Sequence, residues 1–194
     1  MFAIRVFLQL QKGVVMNKIK TYGKEEILVD LIVPNLNVIF CGTAAGPNSA
    51  RTNNYYSNKG NKFYAVLADV GLTTSQIKPE NFYKLVNYGI GLTDLSKHAY
   101  GTDNQIIEND YDTMHVYDLT IKYSPKILAF NGKNAAKEFL ERWVDYGEQN
   151  ETVGTTKLFV LPSTSGKAAS YWDQSYWSEL AQTVINKTKG NNNE

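Results

Sequence analysis

Residues 37–64 read NVIFCGTAAGPNSARTNNYYSNKGNKFY, and this stretch gathers the side chains best suited to holding a flat polar ring. Two adjacent tyrosines, Tyr55 and Tyr56, stand in a run of Asn, Ser, Gly, Arg and Lys. Aromatic faces stack on rings, and amides and hydroxyls bond their edges, so the composition predicts a binding pocket rather than a buried connector. Just before it, the small-residue turn Gly42-Thr43-Ala44-Ala45-Gly46-Pro47 lets backbone approach a ligand closely. The turn follows Val38-Ile39-Phe40-Cys41, an apolar run too short for a helix and rich enough in β-branched and aromatic residues to be a buried strand. Open α/β sheets place their sites at such strand ends.

Other chemistries fit poorly. A dinucleotide site needs G-x-G-x-x-G, whereas the turn reads G-T-A-A-G-P; a P-loop needs Gly-Lys-Ser/Thr, which Gly132-Lys133-Asn134 fails. The single cysteine, Cys41, cannot form an internal disulfide and reads as a buried structural thiol, which suits a reducing cytoplasm. His98 has no clustered Cys, His or acidic partner and reads as an exposed residue rather than a metal ligand, although Lys97 and His98 could contact phosphate. Arg51 could hold a phosphate or pair with an acid. With 20 basic against 19 acidic residues, a nucleic-acid partner requires a local basic face.

The elements that must position these residues follow from hydrophobic spacing. The 194 residues, 43% hydrophobic, suffice for one core and one domain. Residues 1–20 read as an N-terminal extension or an edge segment, 21–186 as the domain and 187–194 as a disordered tail. No apolar run approaches the ~20 residues needed to span a bilayer, so we expect a soluble, cytoplasmic monomer. Helices are predicted over 24–31, 61–70 (ended by Gly71), 79–88, within 108–123, over 134–144 and over 176–185. Buried strands are predicted at 38–41, 126–130 and 157–161, with another strand-and-turn piece at 89–95. Strands alternating with helices imply an α/β domain, a mainly parallel sheet covered on both faces. Its loops 42–61, 93–103, 131–132 and 163–169 then share one rim.

Five pieces, Gly42-x-x-x-Gly46, Asn61-Lys62-Phe63-Tyr64, Tyr88-Gly89-Ile90-Gly91-Leu92-Thr93, Asn131-Gly132-Lys133 and Leu161-Pro162-Ser163-Thr164-Ser165-Gly166, occur in an order that resembles the uracil-DNA glycosylase superfamily. The branch most similar is that of the mismatch-specific (G:T/U) uracil- and thymine-DNA glycosylases, and the likeness covers about residues 36–182. It implies a three-layer α/β/α domain around a central, mainly parallel four-stranded sheet. The activity implied is extrusion of a uracil or a related mismatched or damaged base from DNA and hydrolysis of its glycosidic bond, with no metal or other cofactor.

The same resemblance distributes roles. Gly42, Thr43, Ala44, Ala45 and Gly46 would line the base pocket, with Tyr56 stacking on the flipped ring and Asn131 near its edge. Ser163, Thr164, Ser165, Gly166, Lys167 and Ala168 would grip the DNA, Lys167 standing where an apolar wedge is common. Ala44 departs from the polar, water-positioning residue of the mismatch-specific branch. That role then falls to Asn61 or Asp94, with Asp103 and Asn48 as further candidates. Each has a structural alternative: Asn61 as a helix cap, Asp94 as a turn cap, Asn131 as an organiser of the strand-end loop, and one of Tyr55 and Tyr56 as a core residue. A non-catalytic base-sensing module of the same fold is the remaining functional alternative.

Overall fold

The structure, a computed structural model, describes residues 25–190, without the side chains of Asp103 and of residues 186–190. The first twenty-four residues, including the predicted N-terminal extension, and the last four lie outside the described residues. Five strands form one sheet in the order β2-β1-β3-β5-β4. They are β1 (Val38–Gly42), β2 (Ile90–Asp94), β3 (Ile127–Asn131), β4 (Gly147–Val153) and β5 (Thr156–Leu161). The first three and β5 run parallel, so their carboxyl ends share one rim; β4 pairs antiparallel with β5.

The helices are α1 (Pro47–Thr52), α2 (Phe63–Asp69), α3 (Thr113–Tyr123), α4 (Lys133–Leu140) and α5 (Ser175–Gly190). Short 3-10 segments include Pro79–Tyr88 and Gly166–Tyr171. Val38 and Phe40 of β1 point into one core layer with α2 and α5, while Ile39 and Cys41 point into the other with α3 and α4. This alternation is the period of two that a pleated strand imposes, and with both faces covered the domain is a three-layer α/β/α sandwich. In the first layer Phe40 stacks on Trp177 at 5.5 Å and meets Phe63 edge-on at 5.3 Å. Trp177 also donates its indole N–H to the Pro162 carbonyl at 3.0 Å, so the closing helix holds the loop after β5 in place.

Several elements differ from the sequence reading, among them the short helix α1 inside the predicted loop 42–61 and the helix expected over 134–144, which ends at Leu140. Residues 25–31 are not helical: Leu31 exchanges two backbone hydrogen bonds with Leu92, covering the free edge of β2. That edge would otherwise leave its N–H and C=O groups unpaired. A fifth strand, β4, was not predicted because GEQNETV has only its end residues Gly147 and Val153 buried, as suits a half-exposed antiparallel edge. The closing helix continues to Gly190, beyond the expected start of a disordered tail at Lys187. Among the described residues no helix is long and apolar enough to cross a membrane.

Candidate functional site

The four parallel strands end in Gly42, Asp94, Asn131 and Leu161, and the Asp94 carboxylate lies against Gly42, with the Tyr56 hydroxyl near both Gly42 and the Asn131 amide. Gly42 pairs in register with Asp94. A Cβ on Gly42 would overlap Asp94 Oδ1, so glycine is what lets the carboxylate come this close; the Tyr56 hydroxyl lies 3.6 Å from the same point, an ordinary contact. Asp94 is 3% exposed, and its carboxylate turns back onto Gly42 instead of capping the turn that follows. Burial pushes its carboxyl up to about 7; nearby Lys97 and the Gly42 backbone amide resist the rise, and the Asp30 charge adds to it. A carboxyl raised this far can take up or give a proton much closer to neutral pH than an exposed aspartate can.

Tyr56 stacks on Phe63 with ring centroids 3.9 Å apart and 25° between the planes. Its backbone sits at φ 53°, a left-handed conformation uncommon for a bulky residue and found where surrounding structure over-determines it. The hydroxyl is buried without a full hydrogen-bond partner, beside the Asn131 amide. Burial, then Asp94, pushes the phenol well above its ordinary value, so it stays neutral. Tyr55 is the member of the pair that enters the core, at 1% exposure.

The loop carrying these tyrosines is folded by Asn48 and Asn58. Asn48 gives its side-chain N–H to the Ser57 carbonyl at 2.7 Å and accepts from Arg51 at 2.7 Å, while Asn58 accepts from the Asn48 N–H at 2.9 Å. Those bonds occupy both ends of the Asn48 amide and make it an organiser of the loop. Gly46 must be glycine because a Cβ would overlap Asn58 Nδ2. The carbonyls of Gly42, Thr43 and Ala45 accept from the N–H groups of Leu95, Ser96 and Gly101, which ties the 42–46 turn to the segment after β2. Thr43, Ala44 and Gly46 are half-buried, and Ala45 is buried.

Asn61 accepts the Phe63 N–H at 2.9 Å through Oδ1, the geometry of a helix-start cap. Its Nδ2 makes no hydrogen bond to the described residues, so the amide donor remains free to orient a small molecule. The next residue donates its N–H to the Thr164 carbonyl at 2.9 Å. Thr164 in turn meets Asn131 twice, accepting from Nδ2 at 2.9 Å and donating its backbone N–H to Oδ1 at 3.0 Å. Asn131 is thus the organiser of the strand-end loop and still lies against the Tyr56 hydroxyl. Thr164 is completely buried. Ser163, Ser165, Gly166, Lys167 and Ala168 form the accessible face of the loop, and Ser165 caps its 3-10 turn by accepting the Lys167 N–H.

Several expectations need correction. Lys97 cannot reach phosphate: it is 4% exposed and paired with Asp30 at 2.5 Å. His98 is exposed, as expected. Arg51 bonds Asn48 and pairs with no acid among the described residues. The Asp103 side chain lies outside the described residues. Cys41 is buried, and burial raises its thiol well above the ordinary value, which keeps it an unreactive thiol. The sequence reading missed the Asp30, Lys97 and His115 cluster behind the rim; the lone lysine and histidine lie far from Asp30 in the chain and carried no motif. A separate cavity of about 450 Å³, lined by Asn104, Ile106, Glu108, Tyr111, Asn134 and Glu138, contains none of the rim residues just described.

A mainly parallel sheet that brings a buried carboxylate, a tyrosine hydroxyl and one amide together at its carboxyl rim defines an α/β protein with its polar groups gathered where such sheets hold their sites. Residues 29–184 match the Uracil DNA glycosylase superfamily, and the chain belongs to that family. Its fold is shared with a solution structure from Methanosarcina acetivorans provisionally named a uracil DNA glycosylase, at a TM-score of 0.61 and 21% identity. The likeness covers 84% of this chain and 98% of that one.

Proposed function

We propose that this protein is a monofunctional DNA glycosylase that draws a uracil, or a related damaged or mismatched base, into the rim pocket and hydrolyses its N-glycosidic bond. The observation that carries this reading is the buried Asp94 carboxylate at the end of β2, beside Gly42 and the Tyr56 hydroxyl. A base must leave the stack before its glycosidic bond can be reached. Tyr56, held on one face by Phe63, offers its ring to the flipped base, with Asn131 at the base edge and the 42–46 turn closing the pocket.

Breaking the bond from C1′ to the base nitrogen leaves positive charge on the sugar and negative charge on the departing base. The Asp94 carboxylate stabilises the first and takes a proton from the water whose oxygen bonds to C1′. Asn61 Nδ2 orients that water. The departing base leaves as an anion and takes up a proton from solvent. This division of labour supplies what Ala44 lacks. The exposed face of the loop, Ser163 with Ser165 to Ala168, grips the strand through backbone N–H groups and the Lys167 ammonium. A lysine favours phosphate over filling a vacated stack, so discrimination of the opposite base is weaker than an apolar wedge would give. DNA is the partner; the protein acts as a soluble monomer.

The second reading, a module that senses bases without cutting, is favoured by one observation, the engagement of Asn61 Oδ1 in capping α2. Purified wild type, Asn61→Ala and Asp94→Asn incubated with an end-labelled uracil-containing oligonucleotide and then alkali separate the two. Alkali-labile sites with wild type and their loss with Asp94→Asn support hydrolysis; binding without cleavage supports sensing. Full activity in both variants would remove these residues from the chemistry.

A further inference from the structure

The proposed mechanism makes no use of the buried charges behind the rim. Asp30, in the extended segment before β1, accepts three donors: Lys97 Nζ at 2.5 Å and Thr93 Oγ1 at 2.7 Å on one oxygen, His115 Nε2 at 2.7 Å on the other. A lysine as buried as Lys97 is costly to keep charged without a paired anion, and Asp30 is its only ion-pair partner among the described residues. Burial opposes the Asp30 charge, but Lys97 and His115 outweigh it and hold the carboxyl below the usual carboxylate range. The hydrogen bond to Asp30 raises His115 in return.

The geometry connects this cluster to the site. Strand alternation sends the Thr93 side chain to the α3 face, where Asp30 and His115 sit, and the next residue, Asp94, to the opposite face with Tyr56. The segment that follows is fixed from both sides. Leu95 donates to the Gly42 carbonyl at 2.9 Å and accepts from Asp112, the α3 cap, at 2.8 Å, while the Lys97 carbonyl accepts from Ile27 at 2.8 Å. Among the described residues, the charged groups acting on Asp94 are Lys97 and Asp30. The titratable groups Cys41, Tyr55 and Tyr56 beside it are neutral. Around the cluster itself the further charge is Asp112, near His115.

We propose that Asp30, Lys97 and His115 form a positioning device for Asp94: they anchor the end of β2 and set the charge state of the carboxylate by the opposed fields of Lys97 and Asp30. The functional part of this inference rests on the reading of Asp94 as the carboxylate that activates water. Its distinguishing feature is a sign. Removing the Lys97 charge leaves Asp94 facing an unbalanced anion and favours its protonation. Removing the Asp30 charge leaves Lys97 with Asp94 as its remaining partner and favours ionisation. A role confined to packing would not move the two in opposite directions.

The test is a carbon-13 carboxyl NMR titration of aspartate-labelled protein, with the Asp94 signal identified by its loss in Asp94→Asn. Asp94 is expected to titrate at about 7 in wild type. It should move up by about one unit in Lys97→Met, down by about one unit in Asp30→Asn, and remain near wild type in Lys97→Arg. The acid limb of uracil-DNA cleavage against pH should move with it. Shifts of Asp94 in the same direction in both variants, or none, would overturn the proposal; if one variant does not fold, the sign in the other decides. A wild type inactive on uracil DNA whose Asp94 nonetheless shifts as described would refute the glycosylase reading and leave the charge control standing.

Discussion

Replacing Asp94 with asparagine keeps the shape of the side chain and removes a charge that the fold resists. The carboxyl is pushed up to about 7 by burial, from an ordinary value of 3.8. A group raised on folding contributes stability that is fully present below its unfolded value and lost as pH rises through its folded value. Here that window runs from about pH 4 to beyond pH 7. Each unit corresponds to ~1.4 kcal/mol, so ionising Asp94 in place costs the wild type up to ~4 kcal/mol at pH 8.5 and almost nothing at pH 4. The substituted amide does not titrate, so the variant should be more stable than wild type by ~2–4 kcal/mol at pH 8.5 and indistinguishable from it, or slightly less stable, near pH 4. Urea unfolding followed by tryptophan fluorescence at several pH values reads this difference, and titrations common to both proteins cancel. A difference that stays flat with pH would refute the claim that the fold penalises the Asp94 charge. Cleavage by the same variant should fall by ~10²–10⁴, the range that general acid–base help contributes.

Other substitutions probe the parts separately. Gly42→Ala drives a methyl group into Asp94 Oδ1; cleavage should drop at least ~10-fold, measured under single-turnover conditions, with the circular dichroism spectrum retained. Phe63→Ala removes the ring beneath Tyr56 and beside Phe40 and Trp177, and thermal or urea unfolding should show a loss of ~3–5 kcal/mol. Asn131→Ala deletes both bonds to Thr164 and should cost ~1–3 kcal/mol while loosening the loop after β5, seen as faster proteolysis there. His115 is raised on folding, so its bond to Asp30 stabilises below about pH 6.5 and fades as pH rises through the folded value. His115→Gln should therefore destabilise more at pH 5.5 than at pH 8.5, read by urea unfolding at the two pH values.

The sheet's centre was legible because β1, β3 and β5 are short apolar runs bounded by glycine and polar residues. The rim followed from those strands: parallel neighbours must end on one side, so Gly42, Asp94 and Asn131 had to approach each other. What failed was local. The 24–31 segment has helical spacing, yet the bare edge of β2 claims its backbone at Leu31. The polar strand β4 depends on pairing with β5, which no periodicity announces. Asp94 looked like a turn residue because burial is a property of the packed layers, not of the sequence around it. The partners Asp30 and His115 are 85 residues apart in sequence, and only the fold makes them neighbours.

The most direct measurement is of the products formed when purified wild-type protein, in excess and without added metal or nucleotide, meets a uracil-containing oligonucleotide in single-stranded, U·A and U·G forms. Free uracil released in equal amount with abasic DNA, and suppressed in Asp94→Asn, is the predicted result. DNA recovered intact after prolonged incubation with folded, DNA-binding protein would contradict the account.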